Sequence, residues 1–178
     1  MRWGGSSQDG SRWRNTVLSL KSPHPSGTAE SEAEVTPPSD TMLSMTDAPP
    51  TLVSAGIIVK GDRILICQRH RTDPYGLQWE FPGGKVREGE GLEASLRREL
   101  AEELSIEVEV GAEVFRLRHR YPDRYVEVVF FSIPAFRGLV RNQVFEAIVW
   151  TPRSELLSYN FLEADQELVQ RIANGEIV

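Results

Sequence analysis

Residues 83–106 read GGKVREGEGLEASLRRELAEELSI, a glycine-rich loop running into a helix crowded with carboxylates. Leu92, Leu96, Leu100 and Leu104 recur at every fourth position, so they form one apolar stripe that can seat the helix on a core. Glu99, Glu102 and Glu103 lie beside the stripe, and their spacing places all three carboxylates on one face. Like charges at i and i+4 cost roughly 0.2–0.5 kcal/mol per pair. These acids also sit in the C-terminal half, where the helix dipole disfavours anions. A cation offsets both penalties, and clustered hard oxygen ligands suit Mg²⁺ or Mn²⁺. The alternative is a solvated acidic face.

Working outward, the stretch resembles the Nudix box. Gly84, Glu90, Arg98, Glu99, Leu100, Glu102, Glu103 and Ile106 stand in the places of that pattern, and Ser105 stands where the family has glycine. The preceding WEFPGGK, residues 79–85, resembles the MutT branch in particular. The resemblance covers residues 52 to about 177. It implies an α+β fold of the α/β/α sandwich type, a mixed sheet between helices. It also implies Mg²⁺-dependent hydrolysis of a nucleoside triphosphate to monophosphate and pyrophosphate. Oxidised dGTP (8-oxo-dGTP) is the favoured substrate, a reaction of nucleotide-pool sanitation and mutation avoidance. A CTP or dCTP pyrophosphohydrolase is the alternative within the class. A catalytically silent, nucleotide-sensing Nudix module is the alternative outside it, although such modules typically lose box carboxylates that this chain keeps.

The same resemblance suggests roles for individual residues. Glu99, Glu102 and Glu103, with the Gly83 carbonyl, are the expected metal ligands, and Arg98 is expected to pair with these acids and orient them. Glu99 competes with Glu102 or Glu103 as general base. Glu146 is a downstream candidate, in a stretch where Arg141 is an alternative occupant of the position. Arg69, Glu80, Phe81, Pro82 and Gly83 are expected beside the nucleotide. YNFLEADQELV places Asp165 where MutT has an asparagine that recognises oxidised guanine. An asparagine amide both donates and accepts, whereas an ionised aspartate only accepts. Ionised Asp165 would take the N7–H of the oxidised base and leave O6 unpaired, while the N4 amino group of cytosine offers it a donor. Capping of the last helix is the other reading of Asp165.

Composition bounds the rest. With 178 residues, 40% of them hydrophobic, the chain has room for one globular domain. A net charge of -6 argues against gripping a nucleic acid polymer, which requires a basic face. No run approaches the roughly 18 apolar residues of a membrane span. The expected partner is a small-molecule nucleotide, the expected state a monomer or homodimer, and the expected location the cytoplasm. Cys67 lies in an apolar run and reads as a buried strand thiol.

Residues 1–50 are rich in Ser, Gly, Pro and Thr without sustained period, and read as a disordered extension ahead of a domain at 51–178. Met42 and Met45 offer alternative translation starts, in which case the extension is not made. A chain beginning at Met45 is therefore expected to match the full chain in turnover and in melting temperature. A large loss in either would show that the extension docks on the domain.

From Leu52 the pattern becomes strands. LVSAGIIVK and RILICQR flank a Gly61-Asp62 turn, and IEVEVGAEVFRLRHRY and RYVEVVFFSIPAF form a second antiparallel pair. FEAIVWTP adds a strand, after which Thr151 reads as an N-cap with Pro152 at the first helical position. The last helix is expected from about Glu163 to Ala173, with Leu168 and Ile172 inward and Gly175 near its end. In an extended WEF, Trp79 and Phe81 point one way and Glu80 the other. Arg116, Arg118 and Arg120 share one strand face, read as solvated, with phosphate contact as the alternative. His24, His70 and His119 show no metal-ligand spacing and are given no role.

Overall fold

A computed structural model describes residues 48–177; the expectations for the N-terminal extension, up to residue 47, lie outside the described residues. Strands β1 (Thr51–Lys60), β2 (Arg63–Gln68), β3 (Trp79–Glu80) and β4 (Gly83–Lys85) precede helix α1 (Leu92–Leu104). Strands β5 (Glu107–Glu109), β6 (Glu113–Arg120), β7 (Tyr125–Ile133), β8 (Ala135–Arg137) and β9 (Ala147–Pro152) follow, and helix α2 (Gln166–Ala173) closes the order. The main sheet runs β3-β2-β1-β7-β6, with β4 paired to β1 and β9 to β2. It is mixed, because β1 and β7 are parallel while the other pairings are antiparallel.

Alternation along the central strands builds two cores on opposite faces of the sheet. Ala55 and Ile57 of β1, Ile64 and Ile66 of β2, and Val126, Val128 and Phe130 of β7 pack with Leu168, Val169 and Ile172 of α2. The intervening residues Ile58, Leu65, Cys67, Val129, Phe131 and Ile133 pack with Leu96, Leu100 and Leu104 of α1. Leu96, Leu100 and Leu104 of the leucine stripe and the inward pair Leu168 and Ile172 are fully buried, while Leu92 at the start of the helix is partly so. The expected α/β/α sandwich is thus the fold that forms, α1 on one side and α2 on the other.

Three local readings need correction. The run from Ile106 to Tyr121 is not one strand: β5 leaves the main sheet to pair with β8. The break comes at Gly111, whose N–H donates to the Ser132 carbonyl at 2.9 Å. A Cβ there would lie 2.6 Å from Ser132 Oγ, so the backbone crosses β7 too closely for another residue. Thr151 caps no helix. It belongs to β9 opposite Ile64, and its buried hydroxyl has no partner. Pro152 precedes a 3₁₀ segment, Arg153–Ser158, that has no side-chain cap. The last helix opens as a 3₁₀ turn, Glu163–Asp165, and becomes α-helical only at Gln166.

Helix α1 ends in a left-handed residue, and that residue is Ser105, with φ 58° and ψ 36°. Its N–H closes the helix on the Ala101 carbonyl at 3.1 Å, while its hydroxyl accepts a bond from Gln143 Nε2 at 2.9 Å. A side chain in this conformation costs roughly 1–2 kcal/mol, and the exposed bond to Gln143 returns about 0.5–1 kcal/mol. Ser105→Gly is therefore expected to raise the melting temperature by about 2–4 °C. An unchanged or lower value would mean that the Gln143 bond outweighs the backbone strain.

Candidate active site

The loop before α1 brings backbone and carboxylate together. Gly83 sits opposite Ala55 with φ +150°, and a Cβ on it would lie 2.2 Å from the Ser54 carbonyl oxygen. A Cβ on Gly84 would lie 2.4 Å from the Glu99 carboxyl carbon. Gly83 requires glycine because β4 runs against the β1 backbone there, while a side chain at Gly84 would displace the Glu99 carboxylate. Arg98 fastens this arrangement. Its Nε and one terminal nitrogen bind the two oxygens of Glu90, each at 2.8 Å. Its other terminal nitrogen binds Glu99 at 2.6 Å. The bidentate guanidinium holds the Glu90 carboxyl down at about 2. Arg98 therefore pairs with two acids of the box, Glu90 and Glu99.

Glu103 lies one turn further on and accepts a backbone hydrogen bond from Gly83. Its Oε2 is buried without a hydrogen-bond partner. Burial first, and then the negative charges of Glu99 and Glu80, push its carboxyl up to about 8. A buried orphan oxygen among like charges, beside a glycine-rich loop, is a donor set that fits a hard divalent cation. Glu102 is half-exposed and turned aside, 3.6 Å from both Arg98 and Arg87. Among the described residues no three acidic, histidine or cysteine side chains already converge as a ligand cluster.

Beside the box opens a cavity of about 690 Å³, lined by Arg69, Glu80, Gly83, Gly84, Lys85 and Asp165 among others. Arg69 and Glu80 form an ion pair at 2.6 Å on its wall. Asp165 is buried at the end of its 3₁₀ turn and accepts a long bond, 3.4 Å, from the Phe81 N–H. It makes no capping bond to α2, so the capping reading falls away. Burial, reinforced by the nearby charge of Glu80, raises its carboxyl well above the usual range. Burial thus favours the neutral acid over the ionised aspartate expected from the sequence.

The expected nucleotide contacts divide. Arg69, Glu80, Gly83 and Asp165 line the cavity; Phe81 and Pro82 do not. The Phe81 ring is buried against Phe130 and Phe161, with centroids 6.0 and 5.6 Å away, and the Pro82 carbonyl is taken by the Gly56 N–H at 2.9 Å. Strand alternation is the reason: Glu80 faces the cavity while Trp79, packed on Tyr159, and Phe81 face the core.

A family model described as NUDIX domain matches residues 50–172. The chain belongs to the NUDIX family. It is 37% identical over 119 residues to the CTP pyrophosphohydrolase of Escherichia coli (strain K12), covering 66% of this chain and 87% of the relative. It is 33% identical over 124 residues to the 8-oxo-dGTP diphosphatase of Buchnera aphidicola subsp. Schizaphis graminum, covering 67% and 90%. Similar solved structures include the E. coli ORF135 protein, with TM-score 0.63, 32% identity and coverage of 71% of this chain and 90% of that one. Another is the MutT NUDIX hydrolase from Burkholderia pseudomallei, with TM-score 0.64, 26% identity and coverage of 69% and 98%. As a NUDIX enzyme the chain is a pyrophosphohydrolase of nucleotides.

Other expected and unexpected residues of the NUDIX domain find their places. Glu146 is not on the cavity wall. It binds the Arg71 guanidinium through both oxygens, and that pairing holds its carboxyl below the ordinary value. Arg116 and Arg118 are taken by Glu127, at 2.7 Å each, and Arg120 lies over the Tyr125 ring. Arg116, Arg118, Glu113 and Glu127 form an ion-pair network. The sequence reading missed Tyr121, Asp123 and Arg124, which line the cavity from the turn between β6 and β7. Tyr75 donates to Asp123 at 2.7 Å across the mouth, tying this turn to the loop after β2. No local signal distinguishes this turn from any other, because its role comes from which strands the sheet places side by side. Among the described residues no helix is long and apolar enough to cross a membrane.

Proposed function

We propose that this NUDIX enzyme uses Mg²⁺, with Mn²⁺ as substitute, to hydrolyse a nucleoside triphosphate to monophosphate and pyrophosphate. The preferred substrate is 8-oxo-dGTP, cleared from the cytoplasmic nucleotide pool. Glu99, Glu102 and Glu103, with the Gly83 carbonyl, would hold the cation. When bound, it neutralises phosphate charge and positions and acidifies the attacking water. Arg98 pairs with Glu99 in the metal-free site, and Lys85 on the cavity wall offers charge to the phosphates. The water's proton passes to Glu99 or Glu102. We prefer these to Glu146, whose carboxylate is paired with Arg71 and does not line the cavity.

Asp165 carries the reading of the base. A neutral carboxyl donates through its O–H and accepts through its C=O, so it matches an acceptor beside a donor. Oxidised guanine presents this pattern as O6 and N7–H. Ordinary guanine presents two acceptors, O6 and N7, and leaves one in conflict. The same pattern occurs in cytosine as N3 and the N4 amino group, and the 37%-identical relative is named a CTP pyrophosphohydrolase. CTP or dCTP is therefore the second reading.

Pyrophosphate release from 8-oxo-dGTP, dGTP, CTP and dCTP, with and without Mg²⁺, tests both. Expected is Mg²⁺-dependent turnover with kcat/KM for 8-oxo-dGTP about tenfold or more above dGTP. A higher value for CTP or dCTP would promote the second reading. No turnover with any of the four would favour a nucleotide-sensing role.

A further inference from the structure

Ser54 is fully buried in β1, and its Oγ has no hydrogen-bond partner. Its neighbours fix which way it faces. Two residues along, a Cβ on Gly56 would touch Leu100 Cδ1 of α1 at 3.3 Å, so this side of β1 faces the acidic helix. Val129, the partner of Ser54 on β7, belongs to the core beneath the same helix. On its other side Ser54 pairs directly with Gly84. Directly opposed residues hold their Cβ atoms about 4.5–5.5 Å apart. Gly84 has none, and the space is filled by Glu99, whose oxygens lie 2.6 and 2.7 Å from where that Cβ would be. The orphan hydroxyl is therefore a near neighbour of the Glu99 carboxylate, which here leans on Arg98 at 2.6 Å.

We propose that Ser54 is a positioning residue for the metal site: its O–H donates to Glu99 when that carboxylate turns from Arg98 toward the cation, and holds it there. A buried hydroxyl left unpaired is costly, and pairing it in the metal-bound state couples that gain to binding. The inference rests on reading the box acids as metal ligands. Its signature has two parts with opposite signs. Losing the hydroxyl weakens metal binding and does not weaken the metal-free fold.

The test measures the Mn²⁺ dissociation constant of the full chain from the electron paramagnetic resonance of free Mn²⁺, alongside the melting temperature without metal. Ser54→Ala is expected to raise the dissociation constant about tenfold, with an unchanged or higher melting temperature. Ser54→Cys, of similar size with a weak S–H donor, is expected to fall between. Binding by Ser54→Ala within twofold of wild type overturns the role of Ser54 while leaving the metal site standing. Loss of both affinity and stability also overturns it, because Ser54 would then be structural. Failure of the wild type to bind Mn²⁺ overturns the metal site, and the role of Ser54 with it.

Discussion

Glu103→Gln is expected to lower turnover about 100-fold or more while making the metal-free domain more stable at pH 8. The two effects share one cause. In the fold, burial and then the charge of Glu99 push the Glu103 carboxyl up to about 8. In the unfolded chain it titrates near the ordinary value of 4.5. Below about pH 4.5 both states are protonated and the shift contributes nothing. Between about 4.5 and 8 the unfolded chain has released the proton and the fold still holds it, so stability falls as pH rises, by no more than about 5 kcal/mol. Glutamine carries no titrating proton and removes that slope. Thermal melts of the two proteins without metal, from pH 5 to pH 8.5, should therefore diverge with the variant above. Parallel curves would show that Glu103 is not desolvated as its geometry indicates. Cation binding must displace the same proton, so Mg²⁺ affinity in the wild type should strengthen as pH rises toward 8, with measurable proton release. Glu103→Gln retaining near wild-type turnover at saturating Mg²⁺ would remove Glu103 from the ligand set.

Asp165→Asn is expected to leave kcat/KM for 8-oxo-dGTP within about tenfold of wild type, whereas Asp165→Ala should lose about 30- to 1000-fold. The second figure corresponds to two base contacts at about 1–2 kcal/mol each. The contrast follows from protonation. An ionised aspartate would be improved by amidation, with selectivity moving from dCTP toward the oxidised base. Asp165 is instead buried, with its carboxyl pushed well above the ordinary value; in the neutral form proposed for it, the amide reproduces the donor and acceptor already present. The ratio of 8-oxo-dGTP to dCTP efficiencies should then stay within about twofold. A pH series adds an independent reading. The neutral form persists up to the raised pKa and is lost above it. The quotient of wild-type over Asp165→Asn efficiency should consequently fall at alkaline pH, metal effects cancelling between the two. A clear move toward 8-oxo-dGTP in the asparagine variant at neutral pH would mean that Asp165 is ionised when it meets the base.

Much of this protein is legible in the order of its residues. The leucines of α1, four apart, and the two-residue alternation of β1, β2 and β7 can satisfy their apolar side chains only by packing helices on both faces of a sheet. The box spacing puts Arg98 and Glu99 against a loop whose Gly83 has no room for a side chain, and the left-handed end of α1 was written in a helix that stops at Ser105. These are local matters of period and backbone sterics, and period and sterics are properties of sequence. The upward push on the Asp165 carboxyl is not, because it depends on how deeply a 3₁₀ turn sinks beside Glu80 from a strand 85 residues earlier. Nor is the withdrawal of Phe81 into the core, the capture of Glu146 by Arg71, or the nearness of Ser54 to Glu99. Each of these depends on burial and on partners distant in the chain, and desolvation and charge pairing exist only once the sheet has brought those partners together.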